Sequence, residues 1–548
     1  MLLASRVRRA AAVAALLALA VVPVVVAGPV SAADTPVFGT DHDDPTTADK
    51  PVSKPDTRSC TERVVDHGFD DFDVYTHAYA VPAGCAGPWS KVVLTMHGSV
   101  KGVQYDRLGW MSIGDVPVLK FSTPEPSADG IEWTVEKDLT PYAALLRSPQ
   151  TVKFFLGNVV NDTYTGVLDM TVDLTFYTTS EAWPAAETAD DVVPLADTTT
   201  SGGATTGTLT VPANTERLLA DVYETGSGGG CEEFWYTVTP SASPDDYSCK
   251  GGESGPWREV QVYVDGTLAG VATPYPHIYT GGWSNPYLWA TLPAPRALDI
   301  APATVDLTPF VGELTDGEPH RVQIKVDGAQ GDGWDVPTGF RLWQDAGSDH
   351  VAGALVSSQS TAPVVDNTVG TAEDGDHTAD LAGRHSLTTE GWVQTSHGRV
   401  TTTVTRTVTE TVHHQWSDGE YADDEQATFE DAGTVRTQAT GRASSAAVAP
   451  VQRWDYSYGL DGALTYTDAG DISTTMTLTD EGTQKAQLPS SWRHVYTGSA
   501  DWNYLVPRAE RKATGWSQQD FTDRSPGACW HRVIRTEAGW ITSDRSLC

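Results

Sequence analysis

Residues 87–103, GPWSKVVLTMHGSVKGV, and residues 255–271, GPWREVQVYVDGTLAGV, align without a gap. The same spacing carries Asp138-Leu139-Thr140-Pro141-Tyr142 onto Asp306-Leu307-Thr308-Pro309-Phe310. Each copy also has a cysteine just before its Gly-Pro-Trp (Cys85, Cys249) and another upstream (Cys60, Cys231). The chain therefore carries one unit twice. What the copies share is expected to be scaffold, with Trp89 and Trp257 in matching core positions. What one copy alone owns is where chemistry is to be sought.

Around the repeat the pattern is β-rich. Met170, Val172, Leu174 and Phe176 alternate with polar neighbours, and Arg399–Val412, RVTTTVTRTVTETV, alternates strictly, as half-buried antiparallel strands do. No convincing amphipathic helix interrupts this. The expected fold is all-β: two jelly-roll-like β-sandwiches from an internal duplication, followed by a third β-rich domain. The boundaries read as a signal peptide at 1–33, a polar, disordered lead-in at 34–59 and a first sandwich at 60–180. A linker at 181–207, a second sandwich at 208–346, a linker at 347–383 and a β-rich domain at 384–548 follow.

Arg6, Arg8 and Arg9 precede an apolar run closed by Val30-Ser31-Ala32-Ala33, a cleavable export signal. A secreted, extracellular chain with no membrane attachment after signal removal is expected. Six cysteines in an exported chain form disulfides, and their order pairs Cys60 with Cys85, Cys231 with Cys249 and Cys529 with Cys548. No CxxC or HExxH supports a metal site. A formal charge of −36 repels polyanions and argues against nucleic-acid partners. Eighteen tryptophans supply flat apolar faces for cores or for sugar rings.

The unshared residues are chemically pointed. The first copy alone has Asp106, Arg107 and Trp110, then Glu125. The second has Glu233-Phe234-Trp235-Tyr236 and the run Gly281-Gly282-Trp283-Ser284-Asn285-Pro286-Tyr287-Leu288-Trp289. Paired carboxylates beside aromatic rings suit general acid–base hydrolysis. Asp138 and Asp306 instead look like turn-forming aspartates with proline inside a short helical turn. The Asn161-Asp162-Thr163 sequon reads as a turn, and His277 as a turn residue.

Several runs together resemble the peptide:N-glycanase A family, the peptide-N4-(N-acetyl-β-glucosaminyl)asparagine amidases. They are Tyr105-Asp106-Arg107 with Trp110, Thr123–Pro126 with Gly130 and Trp133, Asp138–Tyr142, Asn158–Val167, Glu233–Tyr236, the Gly281–Trp289 run, and Asp306–Phe310. The resemblance spans 92–177 and 216–326. It implies a cleft between two sandwiches that hydrolyses the β-aspartyl-glucosamine amide of N-glycoproteins or glycopeptides, with no cofactor. Physical reasoning then assigns Asp106 as base, with Glu125 and Glu233 as acid and water-positioning groups. Arg107 is expected on the oxyanion or a sugar oxygen, or equally in a salt bridge to Asp106 or Glu125, and Trp110, Trp235, Trp283, Asn285 and Trp289 against the glycan. A non-catalytic glycan-binding protein and an endo-glycosidase on the same scaffold are the alternatives.

Overall fold

The computed structural model describes residues 41–548 except 229, 246, 283–285, 332, 441–450, 486–488, 507–513 and 526–527. The signal-peptide segment 1–33 lies outside the described residues.

The first unit pairs two four-stranded antiparallel sheets. One holds β1 (Ser59–Phe69), β8 (Leu168–Thr178), β3 (Trp89–Val100) and β6 (Ile131–Asp138), in that order. The other holds β2 (Tyr75–Tyr79), β7 (Gln150–Leu156), β4 (Leu108–Ile113) and β5 (Val116–Ser122). The inward alternation of both sheets, with Leu94, Met96, Val172 and Leu174 from one and Met111, Phe121 and Phe154 from the other, builds a single core. Phe69 and Phe154 meet across it at 5.2 Å between ring centroids.

The second unit repeats this order. One sheet runs β9 (Asp191–Pro194), β19 (Thr338–Gln344), β12 (Thr215–Val222), β16 (Ala303–Asp306). The other runs β10 (Ala196–Ser201), β11 (Ala204–Leu209), β17 (His320–Asp327), β14 (Glu259–Val264), β15 (Thr267–Ala272). Strands therefore occupy 191–209, much of the stretch that composition reads as a linker.

This topology corrects the register of the repeat. The first Gly-Pro-Trp leads into β3, whose counterpart by sheet position is β12. The second leads into β14, whose counterpart is β4. Trp89 and Trp257 are both buried but are not equivalent. The matching hairpins are β4–β5 and β14–β15, which share no sequence identity at their turns. Gly114-Asp115 and Asp265-Gly266 all take positive φ, between 48° and 83°, the backbone of a primed two-residue hairpin turn. A β-bulge falls at the same place in each, between Met111 and Ser112 and between Val262 and Tyr263. In this register Asp106-Arg107 precede β4 as Trp257-Arg258 precede β14. The short helical turns do match: Thr140 N–H donates to Asp138 Oδ1 and Thr308 N–H to Asp306 Oδ1, each at 3.0 Å.

The last third is one sheet of eleven strands, from Ala352–Ser360 to Trp540–Ser546. Its first strands lie within 347–383, so that stretch is sheet rather than linker. Val400, Val404, Val408 and Val412 point inward while the intervening Thr401, Thr403 and Thr405 do not. The inward face shares a core with the second sandwich, with Phe429, Tyr458 and Tyr496 against Trp235, Tyr275 and Trp289. A sheet whose buried face is shared in this way is not a domain apart.

The lead-in is also ordered from residue 41 onward. Ala48 is fully buried; its N–H donates to Gln519 Oε1 at 2.7 Å, and its carbonyl accepts from Trp530 Nε1 at 2.9 Å. Arg532 donates to Thr47 O, and Glu132 N–H to Asp44 Oδ1. Polar composition concealed a strap held by distant side chains. All three disulfides are formed: Cys60–Cys85, Cys231–Cys249 and Cys529–Cys548.

Docking of the long sheet predicts a mutational cost. A Cβ on Gly391 would stand 1.8 Å from the Pro309 carbonyl oxygen. Gly391→Ala is expected to destabilise by about 1–3 kcal/mol, as overpacking does, and to lower one cooperative melting transition of the whole chain. A sheet melting separately, with the rest unshifted, would contradict the shared core.

Candidate active site

The two sandwiches meet through specific polar contacts. Tyr142 Oη donates to Asp221 Oδ2 (2.9 Å), Tyr223 Oη to Val118 O (3.1 Å), and Lys120 Nζ pairs with Asp335 (2.8 Å). At one end of this seam Leu108 packs against Tyr223, Tyr279 and Ile300. The residues just before Leu108 are Arg107 and Asp106.

Three segments converge there. Arg107 N–H donates to Thr123 Oγ1 (2.9 Å) and Thr123 N–H to Arg107 O (2.9 Å), which fixes the turn before β4 against the end of β5. Thr280 Oγ1 in turn donates to Thr123 O. That contact brings Gly281 so near Asp106 that a Cβ on it would stand 2.3 Å from Asp106 Oδ1. The Gly281 N–H donates to the Asp106 carboxylate. Only glycine permits this approach.

Asp106 is perturbed. Its pKa is raised to about 6, chiefly by burial and in part by like-charge repulsion from Glu233, with the Gly281 N–H and Arg107 working the other way. Glu233 also acts on the phenol of Tyr279, which burial drives well above the ordinary range. Tyr279 Oη donates to Gly226 O at 2.7 Å. Asp106 from the first sandwich and Glu233 from the second thus share one electrostatic neighbourhood. A carboxylate desolvated beside a second carboxylate is what proton transfer near neutral pH needs.

Glu233 is held by its neighbour. Glu232 is buried and accepts from Arg258 Nε (2.9 Å) and Nη2 (2.6 Å), from Gln330 N–H (3.0 Å) and from Trp334 Nε1. Arg258 stands where Arg107 stands in the first copy. Arg107 gives Nη2 to Gln104 Oε1 at 2.6 Å, while its buried Nε has no hydrogen-bond partner. Glu125 is half-buried two residues beyond Thr123 on the same loop.

The aromatic set divides. Trp110 is half-buried on β4, stacked on Phe155 at 5.7 Å. Trp235 is 2% exposed and packs against Phe429 and Trp334, and Trp289 is fully buried against Tyr496. Neither ring is open to a ligand, because each fills the core beneath the long sheet. Trp289 has a positioning role instead: its Nε1 donates to Gly282 O at 2.7 Å, anchoring the loop that carries Gly281. Trp283 and Asn285 lie outside the described residues. His277 is buried in a turn, its backbone N–H donating to Tyr275 O at 2.9 Å, with burial holding it well below its ordinary pKa. Asn161 Oδ1 accepts from Thr163 and Tyr164 N–H, so the sequon is a turn. The sequence picked out the run that begins at Gly281 but gave no role to Gly281, Tyr279 or Thr280; the Gly281-Gly282 doublet was the available signal.

The model of the peptide N-acetyl-β-D-glucosaminyl asparaginase amidase A family matches residues 45–359, more than half of the chain. Peptide-N4-(N-acetyl-β-glucosaminyl)asparagine amidase A of Prunus dulcis is 30% identical over 398 residues, 66% of this chain and 68% of that protein. PNGase F, a glycosylasparaginase from Flavobacterium meningosepticum, superposes with a TM-score of 0.32 at 13% identity over 52% of this chain and 96% of that one. PNGF-II gives 0.33 at 14% over 57% and 64%. Superpositions of that quality add nothing to the description of this fold. The family match and the sequence relative together place the chain: it belongs to the peptide N-acetyl-β-D-glucosaminyl asparaginase amidase A family.

Proposed function

We propose that this chain, an amidase acting on N-glycopeptides, hydrolyses the β-aspartyl-glucosamine amide itself, and that it does so outside the cell. The observation that carries the reaction is the pairing of Asp106 with Glu233 at the seam of the sandwiches, with Asp106 raised to about 6. Three disulfides support an oxidising compartment.

Asp106, when ionised, takes a proton from water as the water oxygen bonds to the amide carbon. The carbonyl π electrons move onto oxygen, and the Arg107 guanidinium, whose charge acts at Asp106, is suited to balance that charge. Collapse re-forms the carbonyl and breaks the C–N bond, while Glu233 protonates the leaving glucosamine nitrogen. Products are an aspartate-containing peptide and a glycosylamine. Glu125 serves as the water-positioning carboxylate, and Trp110 offers its open face to the sugar. Glycopeptide incubated with the protein should return peptide carrying aspartate in place of asparagine. One N-acetylglucosamine left on asparagine would mean a glycosidase, and intact glycopeptide would mean a lectin.

Asp106→Asn is expected to lower kcat by about 10²–10⁴, the usual loss of general-base help. The same variant separates chemistry from scaffold. A carboxyl whose folded pKa of about 6 exceeds the ordinary 3.8 contributes stability that is full below about 4 and lost as pH rises through about 6. At pH 7 Asp106→Asn should therefore melt no lower than the parent, and a lower melting point would mark Asp106 as structural.

The pH profile follows from the same pair. kcat/KM should fall above about pH 6, where the pair loses the one proton it shares and none is left for the leaving nitrogen, and fall again where the second carboxylate is protonated, giving a bell on the acid side. Glu233→Gln removes a charge that raises Asp106, so the limb near 6 should move to lower pH. A limb unmoved in Glu233→Gln would break the pairing.

A further inference from the structure

A second cavity, of about 410 Å3, opens where the second sandwich meets the long sheet. None of Asp106, Glu233 and Gly281 lines it. One wall is an aromatic shelf of Trp454, Tyr456 and Trp492, all half-buried although the core beneath them is tightly packed. Glycines leave room for these rings, of which Tyr456 and Trp492 are tilted by 46° to each other. A Cβ on Gly433 would stand 2.1 Å from the Trp454 ring, and one on Gly482 would stand 2.5 Å from Trp492 and 2.8 Å from Tyr456. The rings lie along the strands in space that any side chain would occupy. Tyr456 and Trp492 sit 5.4 Å apart between centroids.

The remaining walls are polar. Arg296 is spent on Asp480 (2.6 and 2.9 Å) and Arg406 on Asp431 (2.7 and 2.5 Å). These pairs neutralise two of the four guanidiniums that line the cavity, Asp306 acts on a third, Arg217, and Arg453 and Lys485 stand exposed at the rim. Gln484 reaches Tyr456 Oη from an exposed position. Glu224 is 3% exposed, and burial lifts its carboxyl to about 7, with Ala303 N–H donating to it at 3.3 Å. A carboxyl protonated into the neutral range both donates and accepts, as a sugar hydroxyl does.

Flat apolar faces opposite uncharged donors and acceptors match an amphipathic ring. We infer that this cavity binds hexopyranose units of an N-glycan, at a subsite separate from the hydrolytic centre. That the glycan is N-linked rests on the proposed function; the shelf and its polar walls do not. The cavity is also coupled to the centre through the chain. Glu224 is followed by Thr225-Gly226, and Gly226 O accepts the Tyr279 hydroxyl beside the two acids.

The test uses the full chain in the Asp106→Asn background, so that nothing is turned over, titrated calorimetrically with a free, peptide-less N-glycan oligosaccharide. Adding Trp454→Ala should weaken affinity by about tenfold, the scale of one lost aromatic contact. Adding Gln484→Ala, whose exposed side chain leaves the fold untouched, should weaken it severalfold. In the otherwise native chain, Trp454→Ala should leave hydrolysis of a peptide bearing only chitobiose within about threefold, since the shelf takes no part in the chemistry. Oligosaccharide affinity unchanged in both variants, or absent in the parent, overturns the subsite. If the native chain leaves glycopeptide intact while Trp454→Ala still weakens binding about tenfold, the hydrolytic assignment falls and the subsite stands. If hydrolysis proceeds and both variants bind like the parent, the subsite alone falls.

Discussion

The buried ion pair between Arg258 and Glu232 is the constraint on which the site depends. Arg258 is fully buried, and its guanidinium grips both carboxylate oxygens of Glu232 while also donating to Gly255 O and Trp257 O. Its own N–H donates to Glu410 from the long sheet. An ion pair stripped of water adds little net stability, but losing one partner costs about 3–5 kcal/mol because the other charge is stranded. The geometry is therefore nearly all-or-none. It joins the segment carrying Glu233 to β14, to the turn at Gln330 and to the sheet behind. Asp106 approaches from the other sandwich, so its partner must already be fixed.

The two copies solve the same local problem differently. Before β14, Trp257 goes into the core and Arg258 into an ion pair. Before β4, Asp106 stays at the seam and Arg107 has only an amide partner. The second copy's version holds the scaffold together. The first copy's leaves a carboxylate desolvated next to a like charge. Duplication supplied a spare copy of a structural corner, and the proposed chemistry uses the less satisfied one.

Much of this was legible in the sequence, for definite reasons. Strict alternation in Arg399–Val412 and Leu168–Tyr177 reports strands, because a two-residue period has no other cheap explanation. Asp138 and Asp306 declared their turns, whereas Asp106 and Glu233, which the structure brings into one electrostatic neighbourhood, were reached through an asymmetry read in a register that the structure overturns. The register of the copies was not legible. Gly-Pro-Trp recurs at two different strands, whereas the equivalent hairpins are matched by backbone angles that Gly-Asp and Asp-Gly both supply. Trp235 and Trp289 show a second limit: beside an acid or a Gly-Gly loop, a ring turned into the core reads like one turned out. The sequence period also revealed which face of the long sheet was apolar without revealing what would cover it.

The strap has a consequence in time. Ala48 bonds to Gln519 across 471 positions, and Asp43 accepts from Ile541 N–H across 498. The first described segment thus finds its seat on strands synthesised long after it. Closing so long a loop costs entropy that no local contact refunds. Until the final strands exist, Thr47 and Ala48 have nowhere to go, and the faces they cover stay open. Completion of this fold is accordingly signalled at its beginning: a seated strap reports that the far end has been made, paired and closed.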